Sequence, residues 1–242
     1  MSPIEVIKHK TISELLTQND SVKLTSFALS IFSQKLFLAG TNTGEIIECD
    51  LTSSKIKRYQ LTSEVMTVDI CRDDSMWAAG TSKSEIMVRK SLGGWAKKVI
   101  NDFNSRPIIQ IRFVNKNCML VATDRTVTKF KLTDMKLTYE IKFEPVTYEQ
   151  AEIVQIMFMP LPDIPNNAVV LTASMNKVEF SLLDPTPRVV SHIPRPDYIE
   201  QGWQPVVSWM IHVEKSFCYV IIFWKDFIFL VKNDQDEFVL CG

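Results

Sequence analysis

The chain has 242 residues, of which 46% are hydrophobic and 10% aromatic. A chain of this length and composition can bury a sizeable apolar core, which argues against disorder over most of it. Its 27 basic and 28 acidic residues leave a net charge of -1, so there is no overall field to attract nucleic acid or an anionic membrane surface, and no nucleic-acid partner is predicted.

The cysteines and the apolar stretches indicate the compartment. No two cysteines form a CxxC pair, and several fall in or beside apolar strand patterns, where a thiol packs as a small hydrophobe. We therefore predict structural roles for them and a reducing, cytoplasmic compartment. The N-terminus has no signal-peptide pattern, and the apolar run at residues 217–224 is far shorter than the roughly 20 residues that span a bilayer, so membrane contact is predicted to be indirect.

Residues 1–20 are predicted to be an N-terminal extension that lies outside the repeated part of the chain. Ile12, Leu15 and Leu16 form a short apolar stripe at helical spacing, next to a capping-box pattern. This pattern predicts a short helix near residues 11–18.

A strand-turn-strand unit recurs about every 40 to 50 residues from residue 22 onward. Its copies lie at residues 36–47, 76–87, 119–130, 169–180 and 219–229. Short β-rich units of this period are typical of propeller blades, because one small sheet cannot bury both of its faces until neighbours stack on it. We predict an all-β, WD-like β-propeller over residues 21–242, with about five blades that form an incomplete part of a larger ring.

The blades are assigned from the strand patterns and the turns between them. Their predicted spans are about 22–60, 63–102, 105–145, 151–195 and 206–231. Gly40 and Gly80 occupy the same place in the first two blades, and residues 72–75 are predicted to form a tight turn. The fifth blade is assigned three strands, and residues 238–242 are expected to follow without a strand that closes the ring.

Two proline-rich segments interrupt the repeats. The prolines of residues 160–167 cannot take part in a strand ladder and predict a protruding loop. Within the proline-rich stretch 184–205, residues 184–196 are predicted to be an extended edge strand flanked by rigid turns. Loops of this kind are where propellers differ in function. The candidate partner-contact residues are Arg188, Arg195 and Trp203, the last in a loop bounded by glycine and proline.

The residue patterns that enzymes need are missing from the sequence. The histidines His9, His192 and His212 form neither HxH nor HExxH, and GxSxG, GxGxxG and phosphate-loop patterns do not occur. The adjacent Asp73 and Asp74 fit turn capping better than acid-base chemistry. We predict no enzyme activity, no catalytic or metal-binding residue and no cofactor.

Several segments of the repeat region carry a family resemblance. They are residues 37–50, 77–88, 107–113, 177–190 and 204–209. The most specific are the strand that ends in SerLeuLeuAspProThrPro and the later ProValValSerTrp. In this order the segments resemble the N-terminal propeller of the vacuolar protein sorting-associated protein eight family, over about residues 22–231. Ser84 departs from the pattern at an expected turn glycine, and the family's α-solenoid and RING-type domain have no counterpart here.

The resemblance implies a role in membrane traffic. Members of that family are subunits of CORVET, a tethering complex of early endosomes. The resemblance implies a propeller that engages an endosomal Rab GTPase and other tethering-complex subunits, supports vesicle fusion and endosome-to-vacuole or lysosome transport, and works at the cytoplasmic surface of early endosome membranes. The residues alone leave two alternatives open: a generic propeller scaffold or adaptor in another trafficking or ciliary assembly, and a small-ligand binder or enzyme in the central channel.

Overall fold

A computed structural model describes most of the chain from residue 21 onward. The described residues are 21–30, 33, 35–53, 55–91, 97–100, 106–133, 136–143, 153–160, 168–182, 188–212, 217–234 and 237–240. The helix predicted near residues 11–18 lies outside them and stays a prediction.

The described residues are built almost entirely from β-strands. The strands are β1 (Leu24–Leu29), β2 (Leu36–Thr41), β3 (Glu45–Asp50), β4 (Lys55–Gln60), β5 (Val65–Ile70), β6 (Met76–Thr81), β7 (Ile86–Lys90), β8 (Lys97–Ile100), β9 (Ile108–Asn115), β10 (Cys118–Thr123), β11 (Val127–Thr133), β12 (Lys136–Phe143), β13 (Ile153–Pro160), β14 (Ala168–Ser174), β15 (Lys177–Leu182), β16 (Arg188–Pro194), β17 (Val206–His212), β18 (Phe217–Trp224), β19 (Phe227–Asp234) and β20 (Glu237–Leu240).

The strands form five antiparallel sheets of four strands each. Every sheet uses four consecutive strands in chain order, so sheet 1 is β1-β2-β3-β4, and sheets 2 to 5 follow in the same way up to β17-β18-β19-β20. The predicted all-β, WD-like propeller is therefore confirmed. The consecutive order follows from short turns, because antiparallel neighbours need only a few residues to connect them.

The sheets are arranged radially, with the first strand of each sheet innermost. The first strands pack against one another in the order β1, β5, β9, β13 and β17. Within the described strands, no contact of similar extent joins β17 back to β1. The second strands β6 and β10 are buried along their whole length, while the fourth strands β4 and β16 are largely exposed. In each sheet, the first strand therefore lies nearest the axis about which the sheets are arranged, and the fourth strand lies at the outer rim.

Neighbouring sheets enclose separate apolar clusters. Between sheets 1 and 2, Leu38 and Ile46 share a cluster with Val65 and Trp77, and all four side chains are almost completely buried. Similar clusters lie between sheets 2 and 3, sheets 3 and 4, and sheets 4 and 5. Full burial of a large apolar side chain contributes about 1.5–3 kcal/mol, so the stacking of sheets is the main source of stability.

Polar contacts fix how successive sheets are aligned. The backbone N–H of Ile111 in sheet 3 donates to the Thr67 hydroxyl of sheet 2 at 3.2 Å. Between sheets 4 and 5, the Gln155 side chain donates to the Val207 carbonyl at 2.9 Å and accepts from the Val207 N–H at 2.8 Å. These bonds involve backbone groups near the axis and satisfy polar groups that the stacked sheets would otherwise bury.

Equivalent turns of the first two sheets adopt the same unusual backbone. Gly44, between β2 and β3, has φ of 85°, and Ser84, between β6 and β7, has φ of 66°. The left-handed region favours glycine, so Ser84 adopts a conformation that the repeat pattern assigns to glycine. The Ser84 hydroxyl donates to the Arg106 carbonyl, which anchors the turn to the start of sheet 3. The predicted turn at residues 72–75 is also found, between β5 and β6.

Two details of the predicted strands were wrong. Pro160 was assigned to the protruding loop, but it is the last residue of β13, where it lies opposite Ala168. Proline is tolerated there because a strand end does not require its missing N–H. The fifth blade was assigned three strands, whereas Glu237–Leu240 pairs with β19 as a fourth strand. Residues 161–167 of the predicted loop lie outside the described residues.

Candidate functional site

The segment that joins sheets 4 and 5, residues 195–205, is held in place by its own backbone and by the sheets. We call it the aromatic loop. The N–H of Arg195 donates to the Asn176 carbonyl at 2.7 Å, and the Arg195 guanidinium donates to the Ile199 carbonyl. Ile199 closes a turn by donating from its N–H to the Pro196 carbonyl at 2.9 Å. Its side chain is buried in the cluster between sheets 4 and 5, so the middle of the loop is anchored.

A second anchor fixes the far end of the aromatic loop. The indole N–H of the fully buried Trp224 donates to the Trp203 carbonyl at 2.8 Å. The Trp203 side chain itself points outward and is 46% exposed. The Lys225 ammonium lies 5.5 Å from the centroid of the Trp203 ring, a cation–π arrangement. Lys225 has φ of 56°, as the tight turn between β18 and β19 requires.

The aromatic loop therefore presents apolar rings on a fixed backbone. Tyr198 is 62% exposed and Trp203 is 46% exposed, although both are large side chains that usually lie mostly inside a protein. Tyrosine and tryptophan have few rotatable bonds and cover a large contact area, which is why they are enriched where proteins bind one another. This surface is suited to docking a macromolecule.

The structure separates the three predicted contact residues. Arg195 and Trp203 both belong to the aromatic loop, but Arg188 begins β16 and Arg195 follows its end. Seven residues of strand place the two arginines about 23 Å apart along the sheet edge. Arg188 is exposed but lies away from the aromatic loop, so it does not share one contact surface with the other two.

Two members of this surface were missed by sequence reasoning. Tyr198 follows Pro196 and Asp197, a turn pattern that predicts an exposed loop tip, and this signal was available. Lys225 carries no comparable local signal. Its position over the Trp203 ring depends on how sheet 5 stacks on sheet 4, and no local pattern reports that packing.

The outermost sheet faces expose apolar side chains. On sheet 5, Val206 lies opposite Phe223, and Phe223 lies opposite Ile228, which forms a row across three strands. These residues are 58%, 41% and 61% exposed. On sheet 1, Phe27 and Leu29 are exposed on the face that is turned away from sheet 2. In the sheets that have neighbours on both sides, the equivalent faces are covered by the next sheet.

The acidic side chains near the axis are occupied by structural contacts. The Asp69 carboxylate accepts the Phe113 N–H at 2.7 Å and faces the Arg112 guanidinium at 3.3 Å. Burial raises the pKa of Asp69, and Arg112 opposes this effect only in part. At the turn after β5, Asp73 accepts bonds from the Ser75 N–H and hydroxyl, as predicted for turn capping. These carboxylates hold neighbouring backbone groups in place.

Burial also affects a thiol and a phenol that could otherwise take part in chemistry. Burial raises the pKa of the Cys71 thiol to about 12, and burial also raises the pKa of Tyr59 to about 12. No group of three or more metal-ligating side chains occurs among the residues that the structure describes. Within the same part of the chain, no helix has the length and apolarity that a membrane crossing would need.

Comparison with known proteins identifies the fold. No family model and no curated protein matches the chain. The crystal structure of the β-propeller domain of Cps50 (Swd1) from Myceliophteria thermophila is similar, with a TM-score of 0.65 and 8% sequence identity. The match covers 91% of this chain and 73% of that chain. At this identity the similarity shows a β-propeller fold and carries no functional residue across.

Proposed function

We propose that this propeller is a docking platform for proteins and that its principal contact surface is the aromatic loop. The observation that carries the proposal is the pair of exposed rings, Tyr198 and Trp203, on a backbone that Arg195, Ile199 and Trp224 hold in place. A surface that is fixed before binding loses little conformational entropy when a partner docks. The non-enzymatic role is part of this proposal.

The character of the surface favours a protein partner. Tryptophan and tyrosine dominate the energetics of many protein interfaces, and a neighbouring cation adds polar recognition at the rim. Lys225 provides this charge beside Trp203. The cavities that bind small molecules enclose most of their ligand, whereas both rings here project from the surface.

We further propose that the partner is a Rab GTPase of early endosomes and that the chain acts in a membrane-tethering complex with other subunits. The support is the sequence resemblance, because its two most specific segments are residues 177–190, which precede the aromatic loop, and residues 204–209, which include its last two residues. In this proposal the protein works at the cytoplasmic side of the endosome, and the GTPase provides the membrane attachment. A generic scaffold or adaptor in another assembly is the second candidate, favoured by the same exposed loop without the resemblance.

A nucleotide-dependent binding assay tests the proposal. The purified chain is incubated with a panel of immobilised Rab GTPases, each loaded with GDP or a non-hydrolysable GTP analogue. We expect binding to at least one GTP-form endosomal Rab and a loss of about tenfold or more in affinity for Trp203→Ala. The Trp203 carbonyl that accepts from Trp224 stays in this variant, so the loop anchor is kept.

The matched control is Phe27→Ala, which removes an exposed ring from sheet 1, far along the chain from the aromatic loop. Its affinity should equal that of the unchanged protein. Equal binding to both nucleotide forms would contradict the proposed recognition of a Rab GTPase and would favour the generic scaffold function. Unchanged affinity of Trp203→Ala would remove the aromatic loop as the contact surface.

A further inference from the structure

A cavity of about 430 Å³ opens on the outer part of sheet 4. We call it the rim cavity. Its lining comes from β15 and β16, from the residue before β15 and from the residue after β16. The lining residues are Asn176, Lys177, Glu179, Val189, His192, Pro194 and Arg195.

The rim cavity lies on the face of sheet 4 that is turned away from sheet 5. Glu179 is paired with His192 and Lys177 with Pro194, so these side chains share one face. The residues between them, Val178 and its neighbour Phe180, point the other way into the cluster with sheet 5. The cavity is therefore on the face that is turned toward sheet 3, outside the apolar cluster that packs against sheet 5.

Positive charge dominates the rim cavity, although the chain as a whole has a net charge of -1. Lys177 and Arg195 are cationic, and the one carboxylate among the described lining residues is Glu179, which pairs with the Lys177 ammonium at 3.0 Å. The Arg195 guanidinium donates to the Ile199 carbonyl, and its Nε has no hydrogen-bond partner among the described residues. The His192 ring adds a nitrogen that can donate. The cavity therefore has more donors and positive charge than its own carboxylate can satisfy.

The strand beside the rim cavity is an open sheet edge. β16 is the last strand of sheet 4 and pairs only with β15 in the described sheet. A register shift opposite Phe180 and Ser181 inserts an extra residue, and Val189 and Val190 are 43% and 37% exposed. By contrast, the equivalent edge strand β4 exposes charged residues, including Lys57. Charged side chains protect an edge from pairing, whereas exposed valines leave it available.

We propose that the rim cavity and the edge of β16 bind an extended, acidic peptide segment of a partner protein. Carboxylates of the peptide enter the cavity and contact Lys177, His192 and Arg195, and its apolar residues lie against Val189. Strand addition supplies backbone hydrogen bonds, and the cavity selects the acidic side chains. A bilayer is a poorer match, because a flat headgroup layer does not enter a concave site on the flank of a sheet. Arg195 belongs to both surfaces, but the exposed rings of the proposed GTPase contact, Tyr198 and Trp203, are not among the lining residues of the cavity.

The direct test uses a fluorescein-labelled ten-residue peptide in which glutamate and valine alternate, with a lysine–valine peptide of the same length as a counter-probe. Fluorescence polarisation should show saturable binding of the glutamate peptide only. Because the contacts are ionic and partly exposed, affinity should fall as salt is raised from about 50 mM to about 500 mM. Equal binding of both peptides would overturn the proposal.

Two variants with opposite expected effects make the test specific. His192→Glu places a negative charge in the cavity and should lower the affinity for the glutamate peptide by about tenfold. Glu179→Gln removes the carboxylate that pairs with Lys177 and releases this ammonium, so it should tighten binding by about threefold or more. A gain in affinity is not produced by misfolding. Lys57→Glu on β4 introduces the same glutamate with a larger change in charge, so it is a stringent control and should leave affinity unchanged.

Two further results would contradict the peptide-binding proposal. Binding that Lys57→Glu weakens as much as His192→Glu does would show a general charge effect and overturn the site. Association with vesicles containing about 30% phosphatidylserine, sensitive to His192→Glu and without peptide binding, would assign the cavity to membranes and overturn the peptide proposal. Loss of GTPase binding in Trp203→Ala has no bearing on these results.

Discussion

Gly80 lies so close to Ile108 that a Cβ atom on Gly80 would stand 2.5 Å from the Ile108 Cγ2 atom. Gly40 has the same relationship to Val65 one sheet earlier, with a distance of 2.4 Å to Cγ1. In both cases a residue near the end of a second strand meets the first strand of the next sheet. The repeated glycine is therefore required by the close approach of neighbouring sheets near the axis.

Substitution at this contact should destabilise the protein. We expect Gly80→Ala to lower the free energy of unfolding by about 1–3 kcal/mol, because the added methyl group overfills a packed interface. Urea denaturation followed by tryptophan fluorescence measures the change. In a background of Ile108→Ala, where part of the obstructing side chain is gone, the cost of Gly80→Ala should be smaller. Strict additivity of the two substitutions would show that the pair does not interact.

The aromatic loop should loosen when its indole anchor is removed. Trp224→Phe keeps a buried ring but loses the hydrogen bond to the Trp203 carbonyl, so we expect a loss of about 1 kcal/mol in the free energy of unfolding and faster local opening. Limited chymotrypsin digestion should then cut more rapidly after Tyr198. Trp203→Ala retains the accepting carbonyl and is the control. Equal cleavage rates in Trp224→Phe and the unchanged protein would contradict the anchoring role.

The contribution of Asp69 to the free energy of unfolding should decrease as pH rises, which is opposite to the usual behaviour of a carboxylate. Burial holds its folded-state pKa above 3.8, so the native state keeps this proton to a higher pH than the unfolded chain does. Its contribution is fully present below the unfolded pKa and is lost as pH rises through the folded pKa. The stability of the unchanged protein minus that of Asp69→Asn should therefore decrease with rising pH in urea titrations from about pH 3.5 upward.

Asp50 provides the opposite case for comparison. A hydrogen bond from the Ser53 hydroxyl is the largest of the effects that lower the pKa of this exposed carboxylate. Its contribution is present above the unfolded pKa and is lost as pH falls through the folded value, so the difference measured for Asp50→Asn should shrink toward acid. The same slope for both variants would mean that burial does not set the Asp69 pKa.

The buried cysteines should resist alkylation in the folded protein. Cys49, Cys71 and Cys118 are buried, and burial raises the pKa of Cys71 to about 12. The thiolate is the reactive species, so iodoacetamide at about pH 8 should label these three only after unfolding. Peptide mass mapping with and without urea distinguishes each site. Labelling of Cys71 at the same rate in both conditions would contradict the buried position.

Much of the fold could be predicted from local patterns. β17 begins at Val206, the residue at which the fifth blade was predicted to start. The turns were equally visible, because Gly44 and Ser84 occupy one repeated position and share a left-handed backbone. Strand alternation and turn chemistry are local properties, and a repeated unit reports them several times over.

Features that depend on packing between sheets were harder to predict. The row of Val206, Phe223 and Ile228 is apolar like any core strand, and only the structure shows that no sheet among the described residues covers it. The rim cavity was missed because Lys177 and His192 come together only through the pairing of β15 with β16. The anchors of the aromatic loop likewise join residues about 20 positions apart, a separation at which single-sequence patterns carry little information.

The use of four consecutive strands for every sheet has a consequence for biogenesis. Each blade is complete once its own stretch of about 40 residues has left the ribosome, so blades can form in the order of translation with little loop entropy to overcome. A newly formed blade covers one face of the blade before it, and its own other face stays exposed until the next blade forms. Chaperones would therefore need to protect only one growing end at a time.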